Sequence, residues 1–388
     1  MKTVLITGAS IAGPVLAWWL ERFGFAPTLL EKAAAPRPGG HAIDIRGAAL
    51  DVVRAMGLSD EIFGKRTRMT GVSKLNAASE EVWRSEEMTI SGGSFDKEAV
   101  EILRDDLSQS LVGALGNGIE RIYGDCAAAV EDDDDGVLVS FEKSRERRFD
   151  LVVGADGMAS AMRRMVFGDD GDFLHPFDIV LAPYTAPNLL DLKDWQLTYE
   201  SGRDSCMIYT APGNQALRVC FGFSAKLEDV PVDRAAQIAL VRQKCAHMGW
   251  EVPRLLDAME QARDFYLGPI AQVKMDRWTH GRIALVGDAA YCPSPFTGQG
   301  TSLAIVGAYV LAWELAQSPD DHAAAFANYE KRMRPFVEIN QAIADLSRDP
   351  RFGEDPQYYI DVIEPAMGKA ERAIDLPAFE DTSANRGP

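Results

Sequence analysis

Apolar positions in this chain repeat with two periods, and the changes of period mark its elements. Thr3–Thr7 (TVLIT) is a short apolar run with β-branched residues, the pattern of a strand buried on both faces. A small-residue turn, Gly8-Ala9-Ser10, leads into a helical stretch to about Phe23. Pro14 falls in the first turn of that helix, where a missing N–H costs nothing, and Trp18 and Trp19 read as core. Gly24 supplies the stop and Pro27–Glu31 the second strand, so a β-α-β unit occupies the first 31 residues. Leu103, Leu107, Leu111 and Leu115 recur every four residues and predict an amphipathic helix over about 98–115. Strands are predicted near 119–125, 137–142 and 149–153.

From about 172 to 275 the pattern turns β-rich. Gln196–Tyr199, Cys206–Thr210 and Ala216–Phe223 alternate between turn residues and predict an inserted, mostly antiparallel sheet. From Gly281 the α/β pattern resumes with a buried strand at Ile283–Val286 and an apolar helix at Thr301–Ala316. Roughly 330–384 is helical and polar-rich, with a frayed end.

Composition narrows the partners. The chain has 388 residues and a formal charge of −18, which repels nucleic acid and anionic lipid. Five scattered Cys without a CxxC suit reduced cytoplasmic thiols, and five isolated His offer no metal-ligand spacing. Thr3 to Leu20 is uncharged, but Gly8, Ser10, Gly13 and Pro14 interrupt it, so it reads as strand, turn and helix of a soluble protein. The acidic run Glu131–Gly136 lacks the ligand spacing of a calcium loop and reads as a hairpin tip. No segment points to an obligate protein partner.

Three segments carry chemistry. Gly8-Ala9-Ser10-Ile11-Ala12-Gly13 is close to the GxGxxG dinucleotide fingerprint, with Ser10 at the second glycine position. Glu31, at the end of the second strand, is placed to accept hydrogen bonds from a ribose. Gly154-Ala155-Asp156-Gly157, with Ser160 and Arg163, follows a strand; an Asp-capped helix start has the same pattern. Gly287-Asp288-Ala289-Ala290 precedes a loop, Pro293-Ser294-Pro295-Phe296-Thr297-Gly298-Gln299-Gly300, that opens the helix at Thr301. There a carboxylate and free N–H donors stand side by side, fit for a sugar hydroxyl and for negative charge.

Together these segments resemble the class A FAD-dependent monooxygenases of the para-hydroxybenzoate hydroxylase type, over Lys2 to about Pro335. The resemblance implies a Rossmann-like FAD-binding domain (1–171 and 276–336), an inserted antiparallel β-sheet substrate domain (172–275) and a C-terminal helical bracket (337–388) lying over the substrate domain. It implies FAD as cofactor, NADPH or NADH as transient reductant, and oxygen transfer through a hydroperoxide at flavin C4a. No second Gly-rich turn marks a separate nicotinamide domain, and no catalytic side chain stands out. Arg104 looks like the Arg with which such enzymes hold FAD, and Lys32 like an adenosine neighbour. Within the family, Arg22–Pro27, Gly39–Gly47, Val273–Met275 and Gly287–Pro295 are most similar to the soil and Legionella branch of the tetracycline destructases. A small, polycyclic, tetracycline-like substrate is thereby implied. A hydroxylase of aromatic polyketides and a FAD-binding scaffold without turnover are the alternatives.

Site residues remain open in two places. Arg46 is a candidate for the flavin or substrate side of the pocket, or a surface Arg. On the inserted sheet, Met207 and Tyr209 share one face, as do Phe221 and Phe223; with Arg218, Pro295 and Phe296 they are the expected substrate contacts. A face packed against helices gives the same alternation.

Overall fold

The computed structural model of the chain describes residues 1–35, 39–87, 99–349, 351–352 and 355–379. The end of the expected bracket, 380–388, lies outside them. Thr3–Thr7 lies inside a six-stranded sheet, in spatial order Thr279–His280, Ile283–Leu285, Leu151–Gly154, Thr3–Thr7, Ala26–Glu31, Glu120–Tyr123. All neighbours pair in parallel except the first two. Val4–Ile6, Val152, Val153 and Ile283–Leu285 are buried, which is why these strands read as unbroken apolar runs. Strand order reverses around Thr3–Thr7, so a crevice opens at the carboxyl ends of its neighbours.

Helices close this sheet. Gly300–Gln317 is buried along almost its whole length between Ala12–Arg22 and the 25-residue helix His322–Leu346, as its all-round apolar surface requires. Trp19 packs on Tyr309 at 4.6 Å between ring centroids, and Arg22 covers Trp18.

The second sheet has seven strands, in order Gly268–Val273, Leu174–Pro187, Ala216–Ser224, Asp204–Thr210, Gln196–Ser201, Val72–Leu75, Glu81–Ser85. It therefore exceeds the insertion. Two strands come from the first segment of the chain, and Val72–Leu75 joins in parallel. Their exposed, mixed sequence (VSKL, EVWRS) carries little strand signal, and pairing with the insertion's edge makes them strands. Helices Arg234–Cys245 and Val252–Gln261 cover the outer face.

Two further expectations are corrected. The helix read over 98–115 begins only at Arg104; Val100–Leu103 is a strand paired antiparallel with Ala42–Ile45, and Leu103 packs with Met69 and Tyr209. The C-terminal segment meets the second sheet at its edge strand Gly268–Val273 and at Phe177, and the rest of its described length packs elsewhere. It folds back on the long helix through Tyr358, Ile363 and Met367, then returns to the nucleotide side, where Ala48 N–H donates to Glu371 O and Tyr309 Oη to Pro377 O. Towards the second sheet, Arg348 lies over Phe177, Gln341 Nε2 donates to Val273 O at 2.8 Å, and Phe352 meets Phe296 on the loop beside it.

The acidic run forms the exposed end of the hairpin Ala127–Asp133/Gly136–Phe141, pinned by Arg282 N–H to Asp132 Oδ2 at 2.8 Å. Among the described residues no acidic, His or Cys group is arranged to hold a metal ion, and no helix is long and apolar enough to cross a membrane.

Candidate functional site

Parallel strand register brings the three motifs together. The turn at Gly8 follows Thr3–Thr7, Glu31 ends the strand on one side, Asp156 follows the strand on the other, and Asp288 follows the strand beyond that. They line one cleft of about 790 Å³, inside the roughly 300–1,000 Å³ range of small-molecule sites. Its walls include Gly8, Ser10, Ile11, Ala12, Glu31, Lys32, Arg104, Asp156, Asp288, Pro295, Gly298, Gly300 and Thr301.

The fingerprint turn is built for close approach. Gly8 has φ +99°, and any side chain there would run into the Ala155 carbonyl. Gly13 does not line the cleft; a methyl group there would overlap the Gly8 carbonyl oxygen, so it sets how closely helix packs on turn. No side chain caps helix Ala12–Arg22, which leaves its first N–H groups to the cleft as an anion site. Ser10 Oγ accepts from Arg104 Nη1 at 3.2 Å, and Arg104 Nη2 donates to Gly39 O at 3.3 Å. The departure from glycine thus anchors an arginine over the turn.

Glu31 bridges two turns: Oε2 accepts from Ala9 N–H at 2.9 Å and Oε1 from Ala33 N–H at 2.8 Å. Lys32 beside it is exposed. Asp156 accepts from Ser160 Oγ, Ala161 N–H and Met162 N–H, so it caps helix Ala161–Val166 while it lines the cleft. Asp288 stands in surroundings that disfavour charge, and burial holds its carboxyl above the usual range. Burial and then Asp288 push the Cys292 thiol well above its ordinary value, which makes it a packed residue and not a nucleophile.

On the substrate side the structure divides the expected residues. Phe221 and Phe223 are fully buried with Tyr184, Leu255 and Met259 between sheet and helices, so they are corrected from pocket residues to core. Met207 and Tyr209 take the opposite face, where Tyr209 Oη accepts from Ala42 N–H at 2.5 Å and lies 3.0 Å from His41 Nδ1. Arg218 lies on that face too, hydrogen-bonded to Thr185 Oγ1 and 3.8 Å from both Asp105 and Asp264. Its charge is answered by protein carboxylates, not held out for an anionic ligand. None of these three lines the cleft. Phe296 meets Phe177 and Phe352 at ring centroid distances of 5.4 and 5.7 Å, joining loop, sheet and C-terminal segment. Arg46 is on neither surface nor cleft: it is buried, with Nη2 2.9 Å from Asp44 Oδ2.

Residues given no site role from the sequence also shape the site. Asp44, Asp105, Tyr123, Asp125 and Cys126 line the cleft. Tyr123 ends the strand Glu120–Tyr123 and Asp125 and Cys126 follow it, and the carboxyl end of the next parallel strand was the available signal. Arg163, fully buried, donates to Ala289 O at 2.9 Å, to Met158 O and to Asp170, and so ties the second motif to the third. Ser294 takes φ +83°, ψ 146°, a region rare for L-residues that costs about 1–3 kcal/mol and collects at functional sites.

The residues fit FAD on two observations: the glycine cradle that a Cβ would fill, and the Gln299 amide. That amide is buried on the cleft wall with neither its nitrogen nor its oxygen hydrogen-bonded, a donor–acceptor edge suited to the imide edge of a flavin. Comparison with known proteins agrees. Residues 1–342 match the family model described as FAD binding domain. A flavin-dependent monooxygenase from an unknown prokaryotic organism is 39% identical over 387 residues, 97% of this chain and 99% of that one. The crystal structures of the tetracycline destructases Tet(51) and Tet(55) superpose with TM-scores of 0.89 and 0.87 at 34% and 37% identity. They cover 97% of this chain and 100% and 99% of theirs. With its motifs converged at one crevice and relatives matched along almost its full length, the chain belongs to the FAD-dependent monooxygenases.

Proposed function

We propose that this monooxygenase oxidises tetracyclines, with NADPH or NADH as reductant and O2 as the oxygen source, as a soluble cytoplasmic enzyme. The carrying observation is the likeness to two tetracycline destructases over 97% of the chain, which includes the C-terminal segment beyond residue 342. When bound, FAD supplies the electron transfer to O2 and the oxygen-transfer chemistry.

The protein's share is binding, orientation and exclusion of water. The Gly8–Gly13 turn and the open N–H groups of helix Ala12–Arg22 would hold the pyrophosphate, with Arg104 above them. Glu31 would take a ribose hydroxyl beside its two backbone bonds, with Lys32 as neighbour, and Asp288 a ribityl hydroxyl. The N–H groups of Gly298–Thr301, at the start of helix Gly300–Gln317, would favour negative charge on the reduced ring. Pro295 and Phe296, with Phe177 and Phe352, offer an apolar wall for a planar polycyclic substrate.

The test mixes protein, FAD, NADPH and tetracycline in air and follows the drug's absorbance and the products by mass spectrometry. Loss of drug only when O2 and NADPH are both present supports the reading. A stable drug, with NADPH consumed on adding an aromatic polyketide, replaces it with a biosynthetic hydroxylase. FAD binding without turnover of either leaves a scaffold.

A further inference from the structure

Two buried carboxamides have no part in the site described above. Gln341 stands on the long helix His322–Leu346 and Gln272 on the strand Gly268–Val273. Gln341 Nε2 donates to Val273 O at 2.8 Å and shares its hydrogens with Tyr291 O and Cys292 O at 3.3 Å. Gln272 Nε2 donates to Pro293 O at 3.1 Å and to Gln341 O at 2.8 Å. Val273 N–H adds a bond to Cys292 O at 3.0 Å. Three successive carbonyls of one strap are therefore held by two side chains from outside the nucleotide motifs. The next residue is Ser294 with its positive φ, and the strap over 292–300 then runs along the cleft wall.

We propose that Gln341 and Gln272 are positioning residues that keep this strap in the conformation that accepts FAD, so that the long C-terminal helix sets cofactor affinity. A backbone in a disfavoured region persists only where its surroundings over-determine it. Here the restraint is a set of N–H donors aimed at carbonyls just before the disfavoured residue. An apolar side chain of the same volume would fill the space but remove the amide donors to Tyr291 O and Pro293 O, leaving Cys292 O only its bond from Val273 N–H. The inference rests on the FAD assignment and is independent of the substrate.

The experiment uses Gln341→Met and Gln272→Met, each alone and combined with Ser294→Gly. FAD dissociation constants come from quenching of flavin fluorescence on titration with apoprotein, and the apoprotein's melting is recorded separately. Each Met variant should weaken FAD binding at least tenfold while the apoprotein still melts cooperatively. Ser294→Gly should recover most of that loss, because glycine adopts the positive φ without the restraint. A role in stability alone would lower the melting temperature with no such rescue. Unchanged FAD affinity, a loss that Ser294→Gly fails to rescue, or failure of both Met variants to fold would overturn the proposal.

Discussion

His41 should make the protein lose stability in mild acid, by an amount the structure sets. Its Nδ1 faces Tyr209 Oη, and its Nε2 is buried. Burial is the main cause that lowers its pKa from 6.5 to about 4; Arg218 and Arg104 act in the same direction, and Asp264 and the Val219 backbone oppose them. The folded state thus prefers the neutral ring, and between pH 6.5 and 4 the unfolded chain binds more protons. Stability falls as pH drops through that window. From pH 7.5 to pH 5 the loss is about 2 kcal/mol, out of about 3 kcal/mol for the whole shift. His41→Gln keeps a polar group for Tyr209 and removes the titration. Urea unfolding of both proteins at the two pH values isolates the term, since the other ionisable groups are common to both. Wild type should lose about 2 kcal/mol more than the variant. An equal loss in the two proteins would refute the argument, and with it the idea that this contact between the Gly39–Gly40 loop and the second sheet is held by a neutral imidazole.

Three other outcomes are expected. Glu31→Ala strands the Ala9 and Ala33 N–H groups and removes a ribose acceptor, so FAD binding should weaken by about 1–3 kcal/mol; an unchanged dissociation constant rejects the role. Gly13→Ala puts a methyl on the Gly8 carbonyl, a backbone atom with no room to yield, and the purified protein should be colourless; normal flavin content would show that the turn is not the phosphate site. Phe221→Ala should cost about 3–5 kcal/mol of stability with little change in KM, whereas Phe296→Ala should raise KM with a smaller stability loss; the reverse ranking would restore Phe221 to the pocket.

Local patterning carried the nucleotide half of the molecule. Buried parallel strands are uniformly apolar, so Thr3–Thr7, Leu151–Val153 and Ile283–Val286 announce themselves, and the short turns after them hold the cofactor motifs. Parallel register then puts those turns at one edge, so the motifs legible in the sequence converge on one candidate cleft. The rest depended on which elements meet. Val72–Leu75 and Glu81–Ser85 are strands because an open sheet edge receives them, and Val100–Leu103 because Ala42–Ile45 does. Alternation along Ala216–Ser224 separates Arg218 from Phe221 and Phe223 but is symmetric between the faces; only the docking of Arg234–Cys245 and Val252–Gln261 decided which face is core. Arg218 reads in sequence as a charge available to a ligand, and Asp105 and Asp264, 113 and 46 residues away along the chain, claim it in the fold. A sequence specifies what each position can do, but a buried charge is assigned by its nearest opposite charge in space, and that neighbour is supplied by tertiary structure alone.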